Sequence, residues 1–200
     1  MKALRSVSAV VRVEVARVLA VALCALAAGL ASAAERAIEK EVLIQATLDQ
    51  AWDARTTREG ITGFFAPDAR IDLKPGGAFE IYINPFAVPG LKGADDMRYL
   101  ALQPKRMLSF TWNAPPSLSE VRQHRTVVII RFTPVSDTQT RITLHHTGWG
   151  DGGEWDKAFG YLDKAWSNVL GNLQKRFAEN KPVDWTEWLE LMRKFSAEKK

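Results

Sequence analysis

Residues 154–177, EWDKAFGYLDKAWSNVLGNLQKRF, constrain the fold more than any other stretch of this 200-residue chain. Apolar side chains fall at Trp155, Ala158, Phe159, Leu162, Trp166, Val169, Leu170, Leu173 and Phe177. These are the i, i+3, i+4, i+7 spacings of one helical face, with Lys157, Lys164, Asn168 and Lys175 opposite. At 1.5 Å per residue such a helix is roughly 36 Å long, enough to lie across a small sheet. A helix with one broad apolar face must bury it, and most of the chain before it is strand-like.

The pattern begins at Ala37 to Ala46, where Ile38, Val42 and Ile44 alternate with Glu39 and Glu41 as in a half-buried strand. Thr47 or Asp49 then caps a short helix that carries Trp52 inward, and Gly60 is expected to end it. A second helical turn, ITGFFA, stops at Pro67. Strands are expected at 70–73, 78–83, 96–102, 107–112, 124–132 and 141–147. The turn Lys74-Pro75-Gly76-Gly77 joins the first two, and Pro134 to Thr138 forms the last turn. The loop 84–93 holds Phe86, Val88 and Leu91, and a loop with apolar side chains packs over something. Pro182 stops the long helix. After it Asp184 and Glu187 have capping-box spacing before a short helix with Trp185, Trp188, Met192 and Phe195 in a stripe. Gly160, Ser167 and Gly171 make a small-residue flank on the long helix, where this short helix or a neighbouring loop is expected to pack. Consecutive antiparallel strands closed by a helix define an α+β fold. The expected form is a curled antiparallel sheet of about six or seven strands around the long C-terminal helix, with two short helices after the first strand.

Charge and cysteine usage exclude several functions. Lys2, Arg5, Arg12 and Arg17 against Glu14 account for three of the four net positive charges, so the rest of the chain is nearly neutral. That removes the main support for nucleic-acid binding. Residues 1–33 read as a secretory signal: basic residues, the apolar run Val18 to Leu30, then Ala31-Ser32-Ala33, with cleavage near Ala33 or Ala34. The run is shorter than the ~20 residues of a membrane span. The expected product is periplasmic or secreted, with no stable membrane anchor after cleavage. The only cysteine, Cys24, lies in this leader, so the mature chain has no thiolate or disulfide.

Several stretches, in order, resemble one family: the opening strand and helix with Trp52; ITGFFAPDARIDLKPGGAFEI, with its Asp-Leu-x-Pro-Gly-Gly turn at Asp72 to Gly77; YLALQPKRMLSFTW; TRITLHHTGW; and KAWSNVLGNL. Together they resemble the START-type helix-grip superfamily (SRPBCC), in the branch related to the activator of heat-shock-protein-90 ATPase, from about Ile38 to Phe177. The chain departs from that pattern at Phe64-Phe65, where the family usually has Trp-Phe, and at Ala165-Trp166, where it has Gly-Trp. The resemblance implies a helix-grip domain over 36–178; the C-terminal extension, 179–200, with its docking helix, lies outside the family pattern. It also implies a cavity between sheet and long helix, without naming a ligand.

No catalytic constellation stands out. His145 and His146 are adjacent on a strand and face opposite ways, so they cannot share a metal. His146 falls on the apolar face, where it is either a polar contact or acid/base in the cavity, or a hydrogen-bonded core histidine. The three histidines make no zinc set, and GWGDGG lacks the residues of a phosphate loop. Asp151 and Glu154 suit a helix start, and Arg98 and Arg122 are possible carboxylate anchors. The candidate ligand-binding residues are Tyr82, Trp112, His146, Leu162, Trp166 and Leu170. The leading expectation is an exported protein that binds a small hydrophobic or amphipathic molecule between sheet and helix, without cofactor or metal. The alternatives are a cyclase- or hydrolase-like enzyme using His146, and a protein-interaction module of the chaperone-activator type.

Overall fold

The structure, a computed structural model, describes residues 35–198. The readings placed on 1–33, including the signal and Cys24, lie outside the described residues. From Arg36 onward the chain is one compact unit. No helix among the described residues is long and apolar enough to cross a membrane.

The elements in order are β1 (Ile38–Ile44), α1 (Leu48–Thr56), α2 (Arg58–Thr62), β2 (Asp68–Ile71), β3 (Phe79–Tyr82), β4 (Gly93–Ala94), β5 (Tyr99–Gln103), β6 (Met107–Trp112), α3 (Ser119–Arg122), β7 (Thr126–Ser136), β8 (Gln139–Thr147), α4 (Gly153–Glu179) and α5 (Thr186–Ala197). All strand pairings are antiparallel. A five-stranded sheet has the order β1-β8-β7-β6-β5, and a three-stranded sheet the order β2-β3-β4. The two are linked where β3 begins: Ala78 bridges Arg98, and Phe79 N–H donates to the Met97 carbonyl at 2.9 Å. The expected α+β helix-grip architecture is therefore present, with the strands divided between two joined sheets.

Local chemistry explains most boundaries. Thr47 caps α1 through a capping box with Gln50. That helix breaks at Thr57, whose side chain caps α2 in turn, so Gly60 sits inside the second helix instead of ending the first. β7 runs on through Pro134, where a turn was expected. The register with β6 ends at Arg131, and past the Phe132 amide, which donates to the Arg106 carbonyl at 2.9 Å, β7 pairs only with β8, so Pro134 leaves no ladder hydrogen bond unmade on its free side. The short helix α3 was not foreseen, because its cap is remote: the Glu154 carboxylate accepts from the Glu120 and Val121 amides at 3.0 and 3.2 Å.

The apolar face of α4 buries Ala158, Leu162, Trp166, Leu170 and Leu173. Arg36–Asp156 and Lys40–Asp163 ion pairs, and Gln174 donating to the Leu43 carbonyl, hold the helix along β1. The small-residue flank is solvent-exposed. A Cβ added at Gly160 or Gly171 would meet nothing within 4 Å, so the expectation that another element packs there is overturned. The short helix α5 instead reaches the opposite flank, by Ala165 and Val169. Trp188 donates to the Ile83 carbonyl at 2.7 Å and Trp185 to the Thr62 carbonyl at 2.6 Å. α5 starts one residue later than its capping-box spacing implied: Asp184 binds Thr186 through both its amide and its hydroxyl.

Two glycines give opposite expectations. At Gly77 an added Cβ would lie 2.0 Å from the Asp72 carbonyl oxygen, so Gly77→Ala is expected to cost about 2 kcal/mol or more. At exposed, mid-helix Gly160, alanine is expected to add about 0.5–1 kcal/mol. Urea titration of both variants checks the pair.

Candidate functional site

An apolar concavity lies to one side of α4. Its inner wall is Phe65, Ile81, Trp112 and Leu162; its outer wall is the loop with Phe86, Val88 and Leu91; Ala165 and Val169 of α4 and Trp188, Met192 and Phe195 of α5 close it. Its volume is about 730 Å³, within the ~300–1,000 Å³ of small-molecule sites. A second depression, about 620 Å³, lies by Leu48, Gln103 and Phe132 but carries Lys105, Arg106 and Arg131 in its lining. Polar and charged walls suit solvent better than an apolar ligand.

Buried Arg122 braces the main cavity. Its guanidinium donates to the carbonyls of Gly90, Gly93 and Ala114 and pairs with Asp95 at 3.3 Å. One planar fork thus ties the apolar loop to the segment after β6. Its donors point into backbone, so the expectation of Arg122 as a ligand anchor gives way to a structural brace. Asp95 also accepts from the Gly90 and Gly93 amides.

Of the six candidate residues, Trp112 and Leu162 line this cavity. Trp166 and Leu170 do not; they are buried against the sheet. Trp166, Trp112 and Phe65 fill the space between helix and sheet, with ring centroids 5.0 Å apart for the two tryptophans and 5.6 Å for Phe65–Trp166. The open volume is therefore displaced from the sheet centre, where it was expected, toward α5. Tyr82 also lies off the cavity. On β3 side chains alternate, and Ile81 takes the cavity side. Tyr82 turns the other way, donating to the buried Glu80 carboxylate, with Lys92 over its ring. Burial, then Glu80, push its phenol pKa up.

His146 is the hydrogen-bonded core histidine of the two readings. It is fully buried, on the register of Ile38 and Val128. The Trp166 indole, which can only donate, gives its hydrogen bond to Nδ1 at 2.9 Å. Nδ1 therefore carries no proton, and the neutral ring bears its hydrogen on Nε2, 2.7 Å from Thr126 Oγ1. The Thr126 hydroxyl donates onward to the Trp112 carbonyl at 3.3 Å. Nδ1 ties the long helix to the sheet and Nε2 ties β8 to β7, so both ring nitrogens are engaged, and His146 does not line the cavity. Burial lowers the imidazole pKa from 6.5 to about 3, assisted by His145. Acid/base use of His146 on a cavity ligand is incompatible with this placement. Among the described residues no cluster of metal-ligating side chains occurs.

Sequence reasoning passed over one residue of chemical weight. Arg55, on α1, is fully buried, and none of its three guanidinium nitrogens has a hydrogen-bond partner; the buried Tyr99 hydroxyl has none either. The signal was available: Ala51, Trp52 and Arg55 share a helical face, and the first two point inward.

An antiparallel sheet gripping one long helix, with a cavity on the helix flank, defines a helix-grip protein. The chain belongs to the family described as Activator of Hsp90 ATPase homolog 1-like protein, whose profile matches residues 45–178. No curated protein matches it in sequence. Solved structures share the fold. A Mesorhizobium loti protein is 22% identical over 74% of this chain and 100% of its own, with a TM-score of 0.57. The Aha1 dimer from Colwellia psychrerythraea is 17% identical over 71% of this chain and 96% of its own, with a TM-score of 0.54. An Hsp90 activator from Plasmodium falciparum is 15% identical over 73% and 97%, also at 0.54.

Proposed function

We propose that this chain binds a small hydrophobic or amphipathic molecule in the cavity between α4, α5 and the loop carrying Phe86, Val88 and Leu91. The observation that carries this reading is the cavity's size and lining: about 730 Å³, with aromatic and aliphatic walls and few polar groups. The rim adds support. Val88, Leu91, Tyr161 and Phe195 are exposed around it, which suits the entry of an apolar molecule. Export through the 1–33 leader remains part of the proposal, and N-terminal sequencing of the protein from its own host tests it.

Ala165 on the cavity wall offers a direct test, because a phenylalanine there fills the space a ligand would use. Wild-type protein is expected to bind the neutral dye N-phenyl-1-naphthylamine saturably, one per chain. Ala165→Phe is expected to weaken it by about 10-fold or more, with a melting temperature within about 3 °C of wild type. Absence of saturable dye binding to wild type would remove the proposal. Native mass spectrometry of host-purified protein then identifies what is carried.

The same exposed apolar rim supports a second reading, a protein-interaction surface, in keeping with the Hsp90 activator among the structural relatives. Ala165→Phe separates the two: it is expected to weaken dye binding and, because it leaves Val88, Leu91, Tyr161 and Phe195 in place, to leave capture of a protein partner within about 3-fold.

A further inference from the structure

The unpartnered Arg55 guanidinium is the least compensated group in the interior. An arginine stays charged in proteins, and a buried charge without a counter-ion is costly. Its near neighbours are rings: the guanidinium carbon lies 5.0 Å from the Phe64 ring centroid and 6.0 Å from that of Phe65. These faces attract a cation but supply no hydrogen-bond acceptor. Among the described residues no carboxylate acts on Arg55 and the titratable group coupled to it is Tyr99, whose phenol pKa burial raises, keeping it neutral. Tyr99 cannot be the counter-ion, and its own hydroxyl lacks a partner. Two buried donors without hydrogen-bond partners thus act on one another in the interior, and both suit an anionic oxygen.

Phe65 connects this pair to the cavity. Its ring lines the cavity wall and is also the second ring over Arg55. We propose that Arg55 and Tyr99 receive the carboxylate head of an amphipathic ligand whose hydrocarbon part occupies the cavity, the Phe65 ring turning aside to admit it. This rests on the cavity reading above and adds the chemical class: a medium-chain monocarboxylate. A carboxylate gives the guanidinium both its charge partner and its acceptors, and accepts from the phenol as well. Burial already lowers the Arg55 pKa to about 10, and a bound carboxylate would raise it again.

The test compares dodecanoate, dodecanol and acetate by calorimetry at pH 8, on the full chain stripped of carried ligand. Wild type is expected to bind dodecanoate about 10-fold or more tighter than dodecanol, with no detectable acetate binding. Arg55→Met is expected to bind both twelve-carbon ligands alike, at the wild-type affinity for dodecanol. Tyr99→Phe, which removes only the hydroxyl, is expected to lose about 3-fold for dodecanoate alone. Equal binding of dodecanoate and dodecanol by wild type, or a dodecanoate preference that survives Arg55→Met, overturns the head-group assignment while leaving the cavity reading standing. Acetate binding as tightly as dodecanoate overturns the amphipathic assignment in favour of a free-anion site. Failure of both twelve-carbon ligands to bind wild type overturns the cavity reading, and this proposal with it.

Discussion

Arg55→Met is expected to raise the melting temperature of the ligand-free protein by about 5 °C. Methionine replaces the stem of the arginine with a flexible apolar chain and removes a guanidinium that is fully buried with no hydrogen-bond partner. Replacing buried ionic groups by apolar ones of similar volume commonly stabilises by 1–4 kcal/mol, even where the charges were paired. Here the only compensation is the pair of rings, Phe64 and Phe65, at 5.0 and 6.0 Å. Such contacts return about 1–2 kcal/mol, less than the desolvation they offset. The measurement is thermal unfolding of ligand-stripped wild type and variant in the same buffer. A fall of more than about 3 °C in the variant would mean that the stripped protein already satisfies the guanidinium. The sign matters more than the size, because a stabilising loss of a native residue marks a group kept for something other than folding.

The second large effect is acid sensitivity. The folded imidazole of His146 has its pKa lowered to about 3 by burial, while an unfolded histidine titrates near 6.5. Between those values the unfolded chain holds a proton that the folded protein does not. The stability tied to neutral His146 is therefore whole above pH 6.5 and is lost as the pH falls toward 3, at about 1.4 kcal/mol per pH unit. The geometry gives the same sign: a proton on Nδ1 would face the Trp166 indole N–H, donor against donor. Urea unfolding of wild type at pH 7.5, 6.0 and 4.5 is expected to show this slope in excess of His146→Gln, with no difference between the slopes above pH 7. Parallel pH profiles for the two proteins would show that the ring titrates freely.

The helix-grip architecture was legible because its evidence is periodic. The face of α4 and the alternation of β1, β6, β7 and β8 are repeated many times over, so single exceptions do not disturb them. The candidate site was less legible, since a cavity is what packing leaves over. Trp166 and Trp112 occupy the same core, yet only Trp112 also has an edge on open volume. Neither period nor spacing separates them. Tyr82 was misplaced for a simpler reason: four residues of β3 are too few to fix which face is inward, and Phe79 and Ile81 claim it. His146 was placed correctly on the inner face, but its partners come from β7 and α4, 20 residues away on either side. Its role as a connector between layers depends on those long-range partners. The Arg122 brace was invisible for the same reason, its acceptors lying 8 to 32 residues away.

The way α5 is attached has a kinetic consequence. None of its side chains is fully buried, and Leu191 and Phe195 are about half exposed. Its hold on the body rests largely on indole and amide hydrogen bonds to Thr62, Ile83 and Asn84, while α4 is anchored by five buried side chains. Detachment of the terminal helix therefore costs much less than unfolding the grip domain, and amide exchange in α5 belongs to a separate, low-energy opening. If the cavity holds the proposed ligand, its residence time is expected to follow the lifetime of that docked helix. A substitution at Trp188 or Ser196 can shorten it without touching the walls that decide which molecule fits.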